Sequence, residues 1–255
     1  MSKIQIYVIT HKEVNIKLKN HYVLLQVGSV LYPSLGYLRD DVGENISWKN
    51  KNFCELTGLY WIWKNSSADI IGLVHYRRFF YAGRVNALMN HRLSSSQIER
   101  YLVKYDLIVP KITKYSRSVR EIYKEKHHIE DWNLTREIIG ELYPEYLETF
   151  DRVGESNELY VCNMFCGKRK ILQAYCKWLF DILFELETRI DISDYDNYNQ
   201  RIYGFLSERL FTVWVRWNRV PCKEVFIYNT EEESILQQAL IHPIKKRIAC
   251  LFERY

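Results

Sequence analysis

The sequence predicts an α/β fold: a mostly parallel central sheet with helices on both faces. Three observations carry that prediction. Segments whose apolar residues recur at every second position alternate with segments that follow the 3.6-residue helical period. The first legible elements run strand, helix, strand, the order in which a crossover helix joins parallel strands. One polar cluster, His75 to Arg78, follows directly on a buried strand, at the kind of strand end where open sheets gather their ligands.

Taken in order, Ile4 to Ile9 alternates as a strand, about Asn52 to Lys64 repeats as a helix, and Asp69 to His75 reads as a buried strand. The helix places Phe53, Leu56, Tyr60 and Trp63 on one stripe, and Asn52 with Glu55 three residues later resembles a capping box. Glu55 is thus equally readable as a cap and as a ligand group. A short strand at Leu107 to Val109 is closed by Pro110. A polar, aromatic stretch from Lys111 to Asp131 follows, then a helix from about Thr135 that Pro144 interrupts. Beyond it lie a strand at Leu159 to Cys166, a helix from about Lys170 to Thr188 and a loop rich in Asp, Asn and Tyr. A helix at about Gly204 to Trp217 and a strand at Cys222 to Tyr228 complete the pattern.

A chain of 255 residues is long enough to bury one ordinary core, so one domain is expected over 1–242, followed by a basic amphipathic segment at 243–255. Hydrophobic residues at 47% and charged residues at 26%, with no low-complexity tract or repeat, exclude disorder and solenoids. Met1 to Ile9 lacks the long apolar core of a secretion signal, no apolar run approaches the ~20 residues of a membrane span, and the six cysteines show no paired spacing. A cytoplasmic protein is the expectation. A net charge of +5 suits an anionic small ligand or an anionic membrane surface. Although 20 Tyr and 7 Trp can stack bases, most fall on core stripes and the Lys and Arg are dispersed, so no nucleic-acid partner is expected.

Two clusters carry chemistry. Asp40 to Asn50 combines adjacent acids, a glycine and several amide or hydroxyl groups ahead of a helix, a composition shared by base- or ribose-binding loops and by solvated turns. Gly72-Leu73-Val74-His75-Tyr76-Arg77-Arg78 runs a buried strand straight into a His and two Arg, whose forked donors suit a diphosphate; stacking on neighbouring aromatics is the competing reading. Asn163-Met164-Phe165 lies where a strand should end, and Glu208 sits in the first turns of a helix, as a general base or as a complement to the helix dipole. His127 and His128 cannot both face one ion from a regular helix and are read as loop residues.

Taken together, Thr10-His11-Lys12, Asp40 to Ser47, Lys49-Asn50, Phe53 to Asn65, Gly72 to Phe80, Asn163 to Phe165 and Gly204 to Leu210 resemble a family of bacterial capsular-polysaccharide and exopolysaccharide proteins. That family was long catalogued as a domain of unknown function and is regarded as glycosyltransferases. The resemblance implies a GT-A-like, Rossmann-like nucleotide-binding fold. It also implies transfer of a sugar from a UDP-sugar, UDP-galactofuranose among the candidates, to a glycan or polyprenyl-linked acceptor in capsule, exopolysaccharide or O-antigen assembly, with inversion.

Carried onto this chain, the resemblance makes Thr10, His11, Lys12, Asp40, Asp41, Asn45, Ser47, Lys49, Asn50, His75, Arg77 and Arg78 the nucleotide-sugar group. Glu208 becomes the base, with Asp41 second, and Asn163, Met164 and Arg201 become the acceptor group. GT-A enzymes generally end the central strand in a metal-binding Asp-x-Asp. Here it ends in His75-Tyr76-Arg77-Arg78, which implies a cationic clamp and no cofactor, with Mn or Mg as the alternative. After Pro243, Ile244, Ile248, Leu251, Phe252 and Tyr255 share a helical face beside Lys245, Lys246, Arg247 and Arg254. This suits docking on the core or on the anionic inner face of the plasma membrane. A non-catalytic sugar-nucleotide-binding scaffold is the alternative function.

Overall fold

Strict alternation along β1 (Ile4–Thr10) sends Tyr7 and Ile9 to one core and Ile6 and Val8 to another, and β4 (Ile70–His75) divides in the same way. The sheet is therefore buried on both faces, as expected. The computed structural model describes residues 2–229. The basic segment at 243–255 lies outside the described residues.

The other strands are β2 (Tyr22–Gln26), β3 (Leu38–Arg39), β5 (Arg78–Tyr81), β6 (Leu107–Pro110), β7 (Thr113–Lys114), β8 (Glu158–Leu159), β9 (Phe165–Lys168) and β10 (Cys222–Asn229). The helices are α1 (Asn50–Phe53), α2 (Leu56–Asn65), α3 (Arg84–Leu88), α4 (Ser95–Lys104), α5 (Val119–Lys126), α6 (Ile129–Leu142), α7 (Leu147–Glu155), α8 (Arg169–Arg189) and α9 (Ile202–Trp217). The larger core holds α2, α6, α8 and α9, whereas α3 and α4 cover the smaller one with β5 and β10.

The sheet is mixed, not mostly parallel. β1 pairs in parallel with β2 and β4, β2 with β3, and β6 with β10. Antiparallel pairing joins β4 to β5 and β9, β5 to β10, and β6 to β9. The strand order β3-β2-β1-β4-β5-β10-β6-β9, with β9 also pairing back to β4, closes one half of the sheet into a partial barrel. The reason lies in the connections. Only Tyr76 and Arg77 separate β4 from β5, and a two-residue link can join only antiparallel neighbours.

Two expected elements are broken. The helix at Asn52 to Lys64 is divided at Cys54, which adopts a left-handed φ of 51°. The capping box does not form, because α1 starts earlier, at Asn50, and the Glu55 side chain makes no cap bond. The strand at Leu159 to Cys166 is interrupted at Cys162 and Asn163, whose φ values are 73° and 47°. Pro144 ends α6 as expected, opening a short turn of 3-10 helix. His127 and His128 occupy the junction of α5 and α6, stacked on Phe205 and Tyr195.

Candidate active site

The parallel strands β1, β2 and β4 end on one side of the sheet, and the cavity opens there. Ile9 and His11 enter it from β1, Val27 from β2, and His75, Tyr76, Arg77 and Arg78 from the β4–β5 link. Asn50, Cys54 and Glu55 come from the α1–α2 break, Cys162 from the interrupted strand, Arg201 and Glu208 from the start of α9, and Tyr32 from the rim. Its volume is about 710 Å³, within the size range of small-ligand sites.

The cationic wall is organised around Tyr76. The Lys12 ammonium lies 4.8 Å and the Arg77 guanidinium 5.8 Å from its ring centroid, and His11 meets the ring edge-on at 5.7 Å. His75 and Arg78 face each other across the hairpin, with Arg77 at its tip. Opposite, Arg201 donates from Nε to Cys54 Sγ at 3.1 Å and lies over the Phe205 ring.

The strained Cys162–Asn163 step links the reactive groups. The Cys162 amide donates to Glu208 Oε1 at 2.8 Å, and the Cys162 carbonyl lies 2.7 Å from His75 Nε2. A carbonyl only accepts, so His75 Nε2 carries the proton. Burial pushes the His75 pKa down, against the opposing pull of the Glu55 charge, so the ring is a neutral imidazole near pH 7. The Glu208 carboxyl is pushed above its ordinary value by enclosure in protein, with Arg209 and the Cys162 amide pulling the other way. Its Oε2 lies 3.4 Å from Arg209 Nη1.

Of the residues singled out in the sequence, the cavity brings together His11, Asn50, His75, Arg77, Arg78, Arg201 and Glu208. Lys12 reaches it through Tyr76, and Asn163 lies behind Glu55. The acidic loop does not join them. Asp40 is fully buried, its carboxylate accepting from the Gly28 and Ser29 amides at 3.0 and 2.9 Å and from the Ser47 and Thr57 hydroxyls at 2.6 and 2.7 Å. It pins a loop and has no oxygen turned to a ligand. Ser47, wholly buried, belongs to the same pin.

Asp41 is held by Arg39 at 3.0 and 2.5 Å and is not among the residues that line the cavity. Asn45 closes a local turn onto Gly43 and Ser47, and Lys49 pairs with Glu187. Thr10 is buried and ties its hydroxyl to the Lys12 backbone, and Met164 is a core residue with no exposed surface. Sequence reasoning missed Tyr32, Cys54, Tyr76 and Cys162 as lining groups and left Glu55 undecided. Of the two readings of Glu55, cap or ligand group, the cap is not formed and the side chain lines the cavity.

Among the described residues, no group of three or more His, Cys, Asp or Glu is placed to hold a metal ion, and the end of β4 offers guanidinium donors where a divalent ion needs oxygen ligands.

Residues 5–219 match the family described as "Domain of unknown function (DUF4422)". A solved structure titled "WbbM bifunctional glycosytransferase apo structure" is similar over 90% of this chain, with a TM-score of 0.83 and 28% sequence identity. The match covers 46% of that longer chain. No curated protein matches.

Proposed function

The chain belongs to the family described as a domain of unknown function, DUF4422, and from that premise and the cavity's chemistry we propose that it is a glycosyltransferase acting on a nucleoside diphosphate sugar. One observation carries the reading: Glu55 and Glu208 line the same cavity at the strands' carboxyl ends as Arg77, Arg78 and Arg201. Its fold, shared with a bifunctional glycosyltransferase, supports the same reading.

The proposed reaction is one displacement. An acceptor hydroxyl attacks C1 of the donor sugar while Glu208 accepts its proton. The C1–O bond to the diphosphate breaks as the new glycosidic bond forms, with inversion at C1. Arg77 and Arg78 neutralise the charge that builds on the departing diphosphate. The donor is UDP-linked in this proposal, with UDP-galactofuranose one candidate. The acceptor is a growing glycan or its lipid-linked form in capsule, exopolysaccharide or O-antigen assembly. No described helix is long and apolar enough to cross a membrane.

Release of UDP from a panel of UDP-hexoses, with and without glycan acceptors and manganese, tests the proposal. Acceptor-dependent release that ignores manganese is expected. Binding of a UDP-sugar with no release on any acceptor would favour a non-catalytic sugar-nucleotide scaffold, and a strict manganese requirement would defeat the arginine clamp.

A further inference from the structure

Glu55 is a cavity carboxylate to which the displacement above gives no task. It reaches the cavity through the break at Cys54, whose left-handed backbone separates α1 from α2 and leaves the Glu55 side chain without a cap bond. Asn163, also left-handed, donates from Nδ2 to Glu55 Oε1 at 2.7 Å and to the Gly204 carbonyl at 3.3 Å. Both partners are acceptors, so the amide cannot be turned over. Asn163 is 5% exposed, and its own Oδ1 is buried with no hydrogen-bond partner. Two residues in sparsely populated backbone states and one orphaned amide oxygen thus accompany the placement of a single carboxylate. Glu55 Oε2 makes no hydrogen bond among the described residues, and Glu55 lines the cavity.

We propose that Glu55 is a specificity-determining residue that reads hydroxyl groups of the transferred sugar, and that Asn163 is its positioning residue. The proposal rests on the glycosyltransferase reading above and assigns the second carboxylate within it. An anionic oxygen repels a diphosphate and accepts strongly from neutral hydroxyls, so its target is the sugar and not the phosphates. The transferred sugar must lie between the arginine clamp and the base. Glu55 lines the same cavity as Arg77, Arg78 and Glu208, the groups on either side of that interval. With one oxygen fixed by Asn163, the other has a set direction. A site built to receive a particular hydroxyl discriminates strongly against sugars that lack it there.

The test is calorimetric titration of UDP and of a panel of UDP-hexoses, including the 4-epimers UDP-glucose and UDP-galactose, into wild type, Glu55→Gln and Asn163→Gly. Gln at 55 can still accept from Asn163, and glycine suits the φ of 47° at 163, so both variants retain the local backbone. Wild type is expected to favour one sugar of the panel. Both variants should keep UDP affinity within about twofold and lose that preference by about tenfold or more. Retention of the preference in both variants, loss of UDP affinity in parallel with that of the sugar, or a wild type that binds UDP yet distinguishes no sugar would each overturn the assignment. A wild type that binds neither UDP nor any UDP-hexose would instead remove the glycosyltransferase reading, an outcome visible without the variants.

Discussion

Glu208 is pulled in two directions by its surroundings. Enclosure raises its pKa, and the Cys162 amide and Arg209 partly restore the anion. A base needs its proton off before the reaction, so activity should fall as pH drops through the raised value, placing the acid limb of the kcat profile above the ordinary carboxylate range. Stability runs the other way. Between the ordinary and raised values the folded chain holds a proton that the unfolded chain has released, so this group's contribution is complete below the unfolded pKa and is lost as pH rises through the folded one. Glu208→Gln removes that cost while its amide oxygen still accepts from Cys162. The variant should therefore lose about 100-fold or more in kcat, yet melt at pH 7.5 no lower than wild type. A variant that unfolds, or that turns over normally, would count against Glu208 as the base.

At the scale of elements, the loop between β2 and α1 is held by Asp40. Its four donors leave the carboxylate no open position, and Gly28, one of them, needs its left-handed φ of 64° to present its amide. Asp40→Ala would strand buried amides and hydroxyls and should cost about 3–5 kcal/mol in urea unfolding at neutral pH. A stable Asp40→Ala protein that had lost nucleotide affinity would return Asp40 to the ligand set. The sequence could not separate these roles, because a carboxylate among Gly, Asn and Ser has the same composition whether the loop encloses it or presents it to a ligand.

Elements with a sustained period were legible: β1, β4, α8, α9 and β10 lie within a residue or two of their expected limits. Short strands were not. β5 follows β4 so closely that the two read as one strand running into cations, and Tyr76-Arg77 has none of the usual turn residues. Left-handed backbone has no signature at Cys54 and Cys162 and only a weak one at Asn163, since Asn adopts it more readily than most residues, so the break at Cys54 by which Glu55 enters the site was invisible. Arg77, Arg78 and Glu208 do line the cavity, the arginines following the end of β4 and Glu208 lying in the second turn of α9.

For the whole molecule, the cavity exists only when distant parts of the chain are assembled. Its walls come from β1, β2, β4, the α1–α2 break, the Cys162 step and α9, all joined to the same partly closed sheet or its larger core. Ligand binding should therefore be linked to unfolding of the whole, raising stability by RT ln(1 + [L]/Kd), about 2.7 kcal/mol at 100 times Kd. For a domain of this size that corresponds to roughly 5–11 °C in melting temperature. UDP should produce such a shift with or without manganese, whereas CMP, with one phosphate, should produce less because it offers the arginines fewer oxygens. Arg77→Ala with Arg78→Ala should abolish the UDP shift. Both side chains are partly exposed at a hairpin, so the unliganded melting temperature should change far less than the shift that is lost. If the double variant keeps the UDP shift, the diphosphate is held elsewhere. If the unliganded protein itself collapses, the hairpin cations are part of what closes the sheet, and the clamp and the fold would then share the same two residues.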